Sequence, residues 1–306
     1  MTVQPIPEIA STPIRSAAVP LQLPGRKKGR WFQRLWRQGL KHLVLLVMAL
    51  LFIFPLFWMI LTSLKPLPQA VTFPPTWVPH PVLWSNYPKA MASQPFGQYF
   101  YHTLVYCVTT VIGVLIASSL VAYGFSRIRW QGRDRVFFVM VATLLLPYIV
   151  TLIPLFVLYH HLGWVGSYKP LIVPTFLGSS VYSTFLLRQF FMTIPESLSE
   201  AARMDGAKEL YIYSRIILPL SKPALAVVAL FQFIYAWNDF LGPLIYLNKQ
   251  SLYPLSLGLN EMLGTYSTNW SWLMAASTVA TMPMIILFFL TQKTFIQGIT
   301  LTGVKG

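Results

Sequence analysis

The stretch Ile194–Pro219, IPESLSEAARMDGAKELYIYSRIILP, is a polar insert between two apolar runs, and its reading decides the fold. In a chain that is otherwise of membrane-grade hydrophobicity, so long a charged segment has to lie in water and face something. It predicts two short helices joined by a turn. Ser197 followed by Glu200 has the capping-box pattern, in which the hydroxyl and the carboxylate each satisfy an unpaired backbone donor at a helix start. Asp205-Gly206 supplies turn chemistry, because glycine accepts the left-handed conformation that ends helices. A second helix is expected from about Ala207 to Ile217, with Leu210, Tyr211, Tyr213, Ser214 and Ile217 available to grip a groove before Pro219.

Outward from this insert, the 306-residue chain is 55% apolar, 15% aromatic and 10% charged, far from the balance of a soluble domain. Six runs are long enough to cross a bilayer: about 42–63, 101–125, 136–159, 171–191, 223–246 and 273–292. The expected fold is therefore an all-α membrane protein of six spans, residues 42–306, preceded by a basic tail, residues 1–41, whose early, proline-rich part should be disordered. The first run is too long for a signal-peptide core and reads as an uncleaved span. The tail's Arg26, Lys27, Lys28, Arg30, Arg34, Arg37 and Lys41 suit a juxtamembrane anchor on anionic lipid.

Of the 23 lysines and arginines, 19 fall in the two tails, in the loops after the second and fourth runs and, as Arg188, at the end of the fourth run next to its loop. Lys65, Lys89, Lys169 and Lys249 are left for the other side. By the positive-inside rule both termini and the 192–222 loop are cytoplasmic, so the net charge of +15 reports topology and not nucleic-acid binding. Pro55, Pro147, Pro154, Pro174, Pro243 and Pro283 fall inside the runs, where each removes a helical hydrogen bond. Small residues cluster in the second run (Gly113, Ala117, Ser118, Ser119, Ala122, Gly124) and in the sixth (Ala275, Ala276, Ser277, Ala280), marking faces where backbones approach closely.

The chain holds no phosphate-binding GxxxxGK[ST], no HExxH and no GxSxG, and the single cysteine, Cys107, rules out a disulfide framework. Only His160 and His161 are adjacent among the histidines, and neighbours on a helix point apart, so no metal site is expected. Energy for uphill transport would have to come from another subunit. Of eight acidic residues only Asp239 lies within a run, where an ionisable group costs about 2.5–3.5 kcal/mol and must find a partner or a water-filled path. Trp237, Asn238 and Asp239 together offer an aromatic face, an amide and a carboxylate to a polyhydroxylated substrate. Asp239 is equally well read as a structural hydrogen-bonding group.

Glu200-Ala201-Ala202, Gly206, Ile216 and Leu218-Pro219 fall at the spacing of the EAA loop, and the chain resembles permease subunits of ATP-binding-cassette importers. The Trp237–Phe240 run, the loop after the fifth span and the ending QGITLTGVKG are similar to the smaller permease of maltose-type carbohydrate importers, so the resemblance covers nearly all of 40–306. It implies the type I ABC importer permease fold and a non-catalytic, multi-pass subunit of a bacterial or archaeal cytoplasmic (inner) membrane. It further implies a heterodimer with a second, related permease, two ATPase subunits that bind ATP and Mg, and an extracytoplasmic sugar-binding protein. In this reading Glu200, Ala201, Ala202, Asp205, Gly206, Leu218 and Pro219 couple to the ATPase, Glu200 meeting an arginine there. Gly264, Thr265, Tyr266 and Ser267 correspond to a loop that can reach into the binding protein. Import of a sugar is the expected function, with glycerol phosphate or a polyol as another cargo. An ion-coupled secondary transporter using Asp239, or a purely structural membrane subunit, are the readings of a different class.

Overall fold

The computed structural model describes residues 28–178, 180–264 and 268–303. The chain falls into two units, Met1–Phe54 and Pro55–Gly306. Among the described residues it is helical, with no strand. The expected disorder of the early tail concerns residues outside that range.

The helix α1, Lys28–Ser63, supplies the described part of the first unit, and from Gln38 to Phe54 every side chain on it is exposed. Apolar side chains open all the way round a helix need lipid or another chain to cover them. In the second unit, after two short helices, α2 (Leu67–Val71) and α3 (Asn86–Ser93), comes the 31-residue α4 (Phe96–Ser126), the pillar of the fold. It is followed by α5 (Arg133–Ala142), α6 (Tyr148–His161), α7 (Lys169–Phe176) and α8 (Val181–Thr193). The polar insert forms α9 (Glu196–Met204), α10 (Glu209–Ile212) and, after a π-turn over Tyr213–Ile217, α11 (Leu218–Leu220). The chain then runs through α12 (Lys222–Asn238), α13 (Leu241–Tyr246), α14 (Leu255–Glu261) and α15 (Trp270–Gly303).

Gln38–Ser63, Phe96–Ser126, Lys169–Thr193 and Trp270–Gln292 are each long and apolar enough to cross a membrane, and the bent pairs Arg133–Leu145 with Tyr148–His161 and Glu209–Leu220 with Lys222–Asn238 bring the number to six when each is counted as one span. That count agrees with the six expected crossings, but three runs that read as continuous helices are interrupted, the fourth between Phe176 and Val181, where Gly178 has φ +82°. The third run splits at Pro147, with Arg133–Leu145 and Tyr148–His161 bent by 99°. Proline forces the preceding residue out of the helical region, and Leu146 is extended, at ψ 116°. The fifth run stops at Asn238 and resumes at Leu241, because Pro243 has no N–H and its ring collides with the carbonyl four residues back, that of Asp239.

The helix α4 packs against α12, α8, α7 and α14, and α15 against α3, α12 and α14. The small residues of α4 face this chain's own helices: Ala117, Ser118, Ser119 and Ala122 are buried. A Cβ on Gly113 would stand 2.3 Å from Thr175 Oγ1 and 2.8 Å from the Phe176 ring. Two clusters form along α4: Val114, Ala122 and Tyr123 with Leu187, Phe191, Ile212 and Ile217 toward the polar insert, and Tyr99, Tyr106 and Cys107 with Trp237, Leu255 and Ala276 at the other end.

Candidate functional site

The polar insert folds as a hairpin that is clamped on one side and open on the other. Its turn is a Schellman motif: the Ala207 N–H donates to the Ala202 carbonyl (2.9 Å), the Gly206 N–H to that of Arg203 (3.0 Å), and Gly206 has φ +83°. Asp205 and Gly206 thus end α9 as the sequence predicts. The start differs from expectation. α9 begins at Glu196 behind Pro195, and no Ser197–Glu200 capping box forms. Pro195 already has the backbone angle of a helix entry, and Glu196 places a carboxylate against the positive end of the helix while pairing with Arg129 at 2.9 Å. Glu200 is left exposed, with no hydrogen bond or ion pair among the described residues.

The second helix also starts later than expected, at Glu209, and passes into the π-turn. Its apolar residues divide. Tyr213 and Ile217 are buried in the chain's own core, whereas Leu210 (71% exposed) and Tyr211 stand in the open, with Met204 (88%) across the turn. Of the other residues in the pattern, Ala201, Asp205 and Pro219 are exposed and Ala202 and Leu218 partly so. Besides Glu200 the hairpin thus exposes Met204, one helical turn further along α9, and Leu210 and Tyr211 on the second helix, a mixture of charge and apolar groups that has the composition of a protein-docking surface.

What fixes the hairpin is a set of contacts that the sequence does not predict: Tyr123, Arg203, Glu209 and Arg127 are passed over, and Tyr213 and Ser119 are read in other roles. Tyr123 of α4 donates to a Glu209 carboxylate oxygen, and Arg203 Nε donates to the other at 2.8 Å. The Tyr213 hydroxyl meets Ser119 Oγ at 2.7 Å, and the Tyr123 and Tyr213 rings make a T-shaped pair at 5.3 Å. Arg203, with help from the Tyr123 hydroxyl, holds the Glu209 carboxyl below its usual range, and Glu209 in turn raises the Arg203 guanidinium. Buried Arg127 donates to the carbonyls of Phe191 and Ile194 (2.5 Å to the latter), satisfying the end of α8 just before the hairpin. The only local signal for these contacts is a tyrosine among the small residues at the end of the second run.

At the break between α12 and α13, Asp239 is fully engaged. Oδ2 accepts from the Tyr106 hydroxyl at 2.8 Å, Oδ1 from the Gly242 N–H at 3.1 Å, and its carbonyl from Ser256 Oγ at 2.7 Å. It caps α13 and ties the break to α4 and α14. Trp237 is buried (7% exposed): its ring lies against Phe233 and Phe100, and Nε1 donates to the Ala280 carbonyl at 3.3 Å. Asn238 is exposed and spends one N–H on the Ile234 carbonyl. One helical turn earlier on the same face stands Tyr235, 63% exposed, a residue the sequence reading passes over. Of the three residues expected on the path, only Asn238 presents its side chain openly, beside Tyr235.

Gly264 is exposed, while Thr265, Tyr266 and Ser267 lie outside the described residues. The loop that precedes them is pinned to α4 and α7: Gln98 Nε2 donates to the Ser251 carbonyl (2.9 Å), and the Tyr168 hydroxyl to that of Leu252 (2.8 Å). The His160 and His161 rings are 6.2 Å apart at 77°, and no group of three metal-ligating side chains assembles among the described residues.

Residues 109–301 match the model of a protein family described as the binding-protein-dependent transport system inner membrane component. The chain belongs to this family. It is 34% identical over 267 residues to the arabinooligosaccharides transport system permease protein AraQ of Bacillus subtilis, covering 86% of this chain and 94% of that one. It is 33% identical over 274 residues to the sn-glycerol-3-phosphate transport system permease protein UgpE of Yersinia pestis, covering 86% and 97%. Its fold matches a chain in the crystal structure of a bacterial ABC transporter involved in the import of the acidic polysaccharide alginate, with a TM-score of 0.75 over 89% of this chain and 99% of that one, at 23% identity. As an inner membrane component of such a system, the chain is a multi-pass ABC-type permease subunit.

Proposed function

We propose that the chain forms one half of the translocation pathway of an ATP-driven sugar importer and takes its energy from an ATPase docked on the α9–α10 hairpin. The observation that carries this reading is Glu200: an exposed carboxylate with no partner among the described residues, on a hairpin that also exposes Met204, Leu210 and Tyr211 and that is bonded to α4 through Glu209 and Tyr213. A hairpin so held transmits a push on its outer face to the 31-residue α4. The partners are a second, related permease, two ATPase subunits that bind ATP and Mg, and an extracytoplasmic binding protein. The hairpin and both termini lie in the cytoplasm, as the distribution of basic residues supports.

Sugar as the cargo rests on the name of the arabinooligosaccharide relative and on the face of α12 formed by Tyr235 and Asn238, an aromatic ring and an amide suited to stacking and hydrogen bonding. The glycerol-phosphate relative gives the second reading some weight. A phosphate dianion, however, needs a cation on its route, and the six runs contain a single lysine or arginine. That residue, Arg188, is engaged with the Phe125 carbonyl (3.1 Å) and Asp134 (3.1 Å) beside the hairpin. The test is ATP hydrolysis by the complex assembled with its permease, ATPase and binding-protein partners, across a panel of mono- and oligosaccharides and glycerol phosphate. Stimulation by a neutral sugar supports the proposal. Stimulation by glycerol phosphate alone would replace its cargo, and hydrolysis without any ATPase partner would overturn it.

A further inference from the structure

Beside the start of α9, at the junction of α4 and α5, lies a cavity of about 490 Å³ walled by four arginines, Arg127, Arg129, Arg133 and Arg135. We propose that it binds the phosphodiester headgroup of an anionic phospholipid.

The charges in and around the cavity do not cancel. Its two acids are both spoken for: Glu196 pairs with Arg129 at 2.9 Å, and Asp134 with Arg133 at 3.3 Å and with Arg188, behind it, at 3.1 Å. Arg135 has no ion pair among the described residues and is exposed. Arg127 is 7% exposed and donates only to backbone carbonyls; its Nε is buried with no acceptor. Two cations are thus without a paired carboxylate, one of them almost fully buried. Gly132, at φ +86°, starts the ten-residue α5 at the cavity wall, so the positive end of that helix adds to the same field. A phosphodiester, singly charged and rich in acceptor oxygens, complements guanidinium groups in this arrangement.

The surroundings favour a lipid over free phosphate as its source. Trp130, also in the wall, is 41% exposed and holds its indole N–H on the Gly124 carbonyl at 3.2 Å, and tryptophan is enriched where membrane meets water. From the cavity, α5 continues with Val136 (50% exposed) and Val139 (65%) on one face and Phe138 (73%) beside them, an apolar track for acyl chains below a seated headgroup. Basic pockets between spans on the cytoplasmic side are suited to anionic headgroups. A bound phosphodiester would compete with Glu196 for Arg129, so the site touches the first residue of α9. The inference rests on the placement of this surface at the cytoplasmic leaflet, and not on the cargo.

The experiment is native mass spectrometry of the full chain in detergent, titrated with phosphatidylglycerol, with phosphatidylcholine of the same acyl chains, and with inorganic phosphate. The basic tail also attracts anionic lipid, so the diagnostic quantity is the phosphatidylglycerol occupancy lost in variants of the cavity. The wild type should retain phosphatidylglycerol several-fold better than phosphatidylcholine. Arg129→Gln with Arg135→Gln should abolish most of that excess, and Glu196→Gln, which removes a competing negative charge, should raise it. Arg135→Gln alone, at an exposed unpaired position, keeps the comparison valid should the double variant fail to fold. Occupancy unchanged in these variants, or equal retention of the two lipids, would overturn the assignment. So would displacement of the lipid by an equal concentration of inorganic phosphate, which would make this a free-phosphate site. If Arg135→Gln weakened ATPase co-purification and left lipid retention intact, the cavity would belong to a protein interface instead.

Discussion

Glu200 is the residue on which the coupling reading turns, and the missing capping box makes its test cleaner. With no bond of its own to lose, its removal should leave the fold intact. Glu200→Gln and Glu200→Ala are therefore expected to behave alike: unchanged melting of the permease, but ATPase co-purification weakened by the roughly 2–5 kcal/mol that follows from stranding a buried charge on the partner. Normal co-purification of both variants would take this carboxylate out of the contact. Asp239 is expected to do the opposite. Because its two oxygens accept from Tyr106 and Gly242, Asp239→Ala should lower the melting temperature, leaving a buried hydroxyl unsatisfied at a cost of about 1–3 kcal/mol. In a double-mutant cycle with Tyr106→Phe the losses should be less than additive, by about 0.5–3 kcal/mol. Additive losses, or altered substrate preference at normal stability, would restore Asp239 to the transport path.

Among the elements, the hairpin and α4 behave as one piece because Glu209 joins them. Its folded-state carboxyl is held below the ordinary range by Arg203 and then by Tyr123, so its contribution is complete above the unfolded-state value of about 4.3 and is lost as pH falls through the depressed folded value. Melting curves should show this acid limb in the wild type and a shallower one in Glu209→Gln, with lower stability at neutral pH. An identical pH profile in the two would mean the trio does not hold the hairpin. The packing of α4 against α7 can be probed with glycines of the same helix. Gly113→Ala drives a Cβ to within 2.3 Å of Thr175 Oγ1 and should destabilise by about 1–3 kcal/mol of overpacking. Gly124→Ala meets nothing within 4 Å and should be neutral or slightly stabilising, since alanine is the better helix former. Equal melting temperatures would place the α4–α7 contact further apart than described.

For the whole molecule the decisive question is which end of the bundle faces which compartment. The distribution of basic residues predicts that, with Cys107 replaced, a cysteine at Lys249 reacts with an impermeant thiol reagent added outside intact cells, and one at Lys208 reacts only after permeabilisation. Both positions are exposed, so access depends on the membrane alone. The reverse pattern would invert the topology and remove the hairpin from the cytoplasm. The large apolar surface left open on α1, α5 and α6, including Leu45 (65%), Phe52 (77%), Val139 (65%) and Ile153 (70%), fits a chain that is covered by lipid or by other membrane chains.

The class of the molecule was decided by composition and run length alone, because a bilayer admits only segments that satisfy their own backbone, and a chain 55% apolar with six runs of that length has few other solutions. The turn at Asp205-Gly206 was equally legible, since the left-handed backbone there is a local property of glycine. Helix starts and long-range partners were not. The Ser197 cap did not form because a cap is worth only about 1 kcal/mol, and Pro195 with a Glu196 carboxylate at the positive end of the helix supplies a competing start. The engagement of Asp239 by Tyr106, 133 residues away, and of Glu209 by Tyr123, 86 residues away, depends on which helices pack together, and nothing local encodes that. Sequence therefore singled out Asp239 and Glu200 and passed over Glu209. Only the tertiary structure decided that Asp239 and Glu209 have partners within the chain and that Glu200 is exposed with none among the described residues.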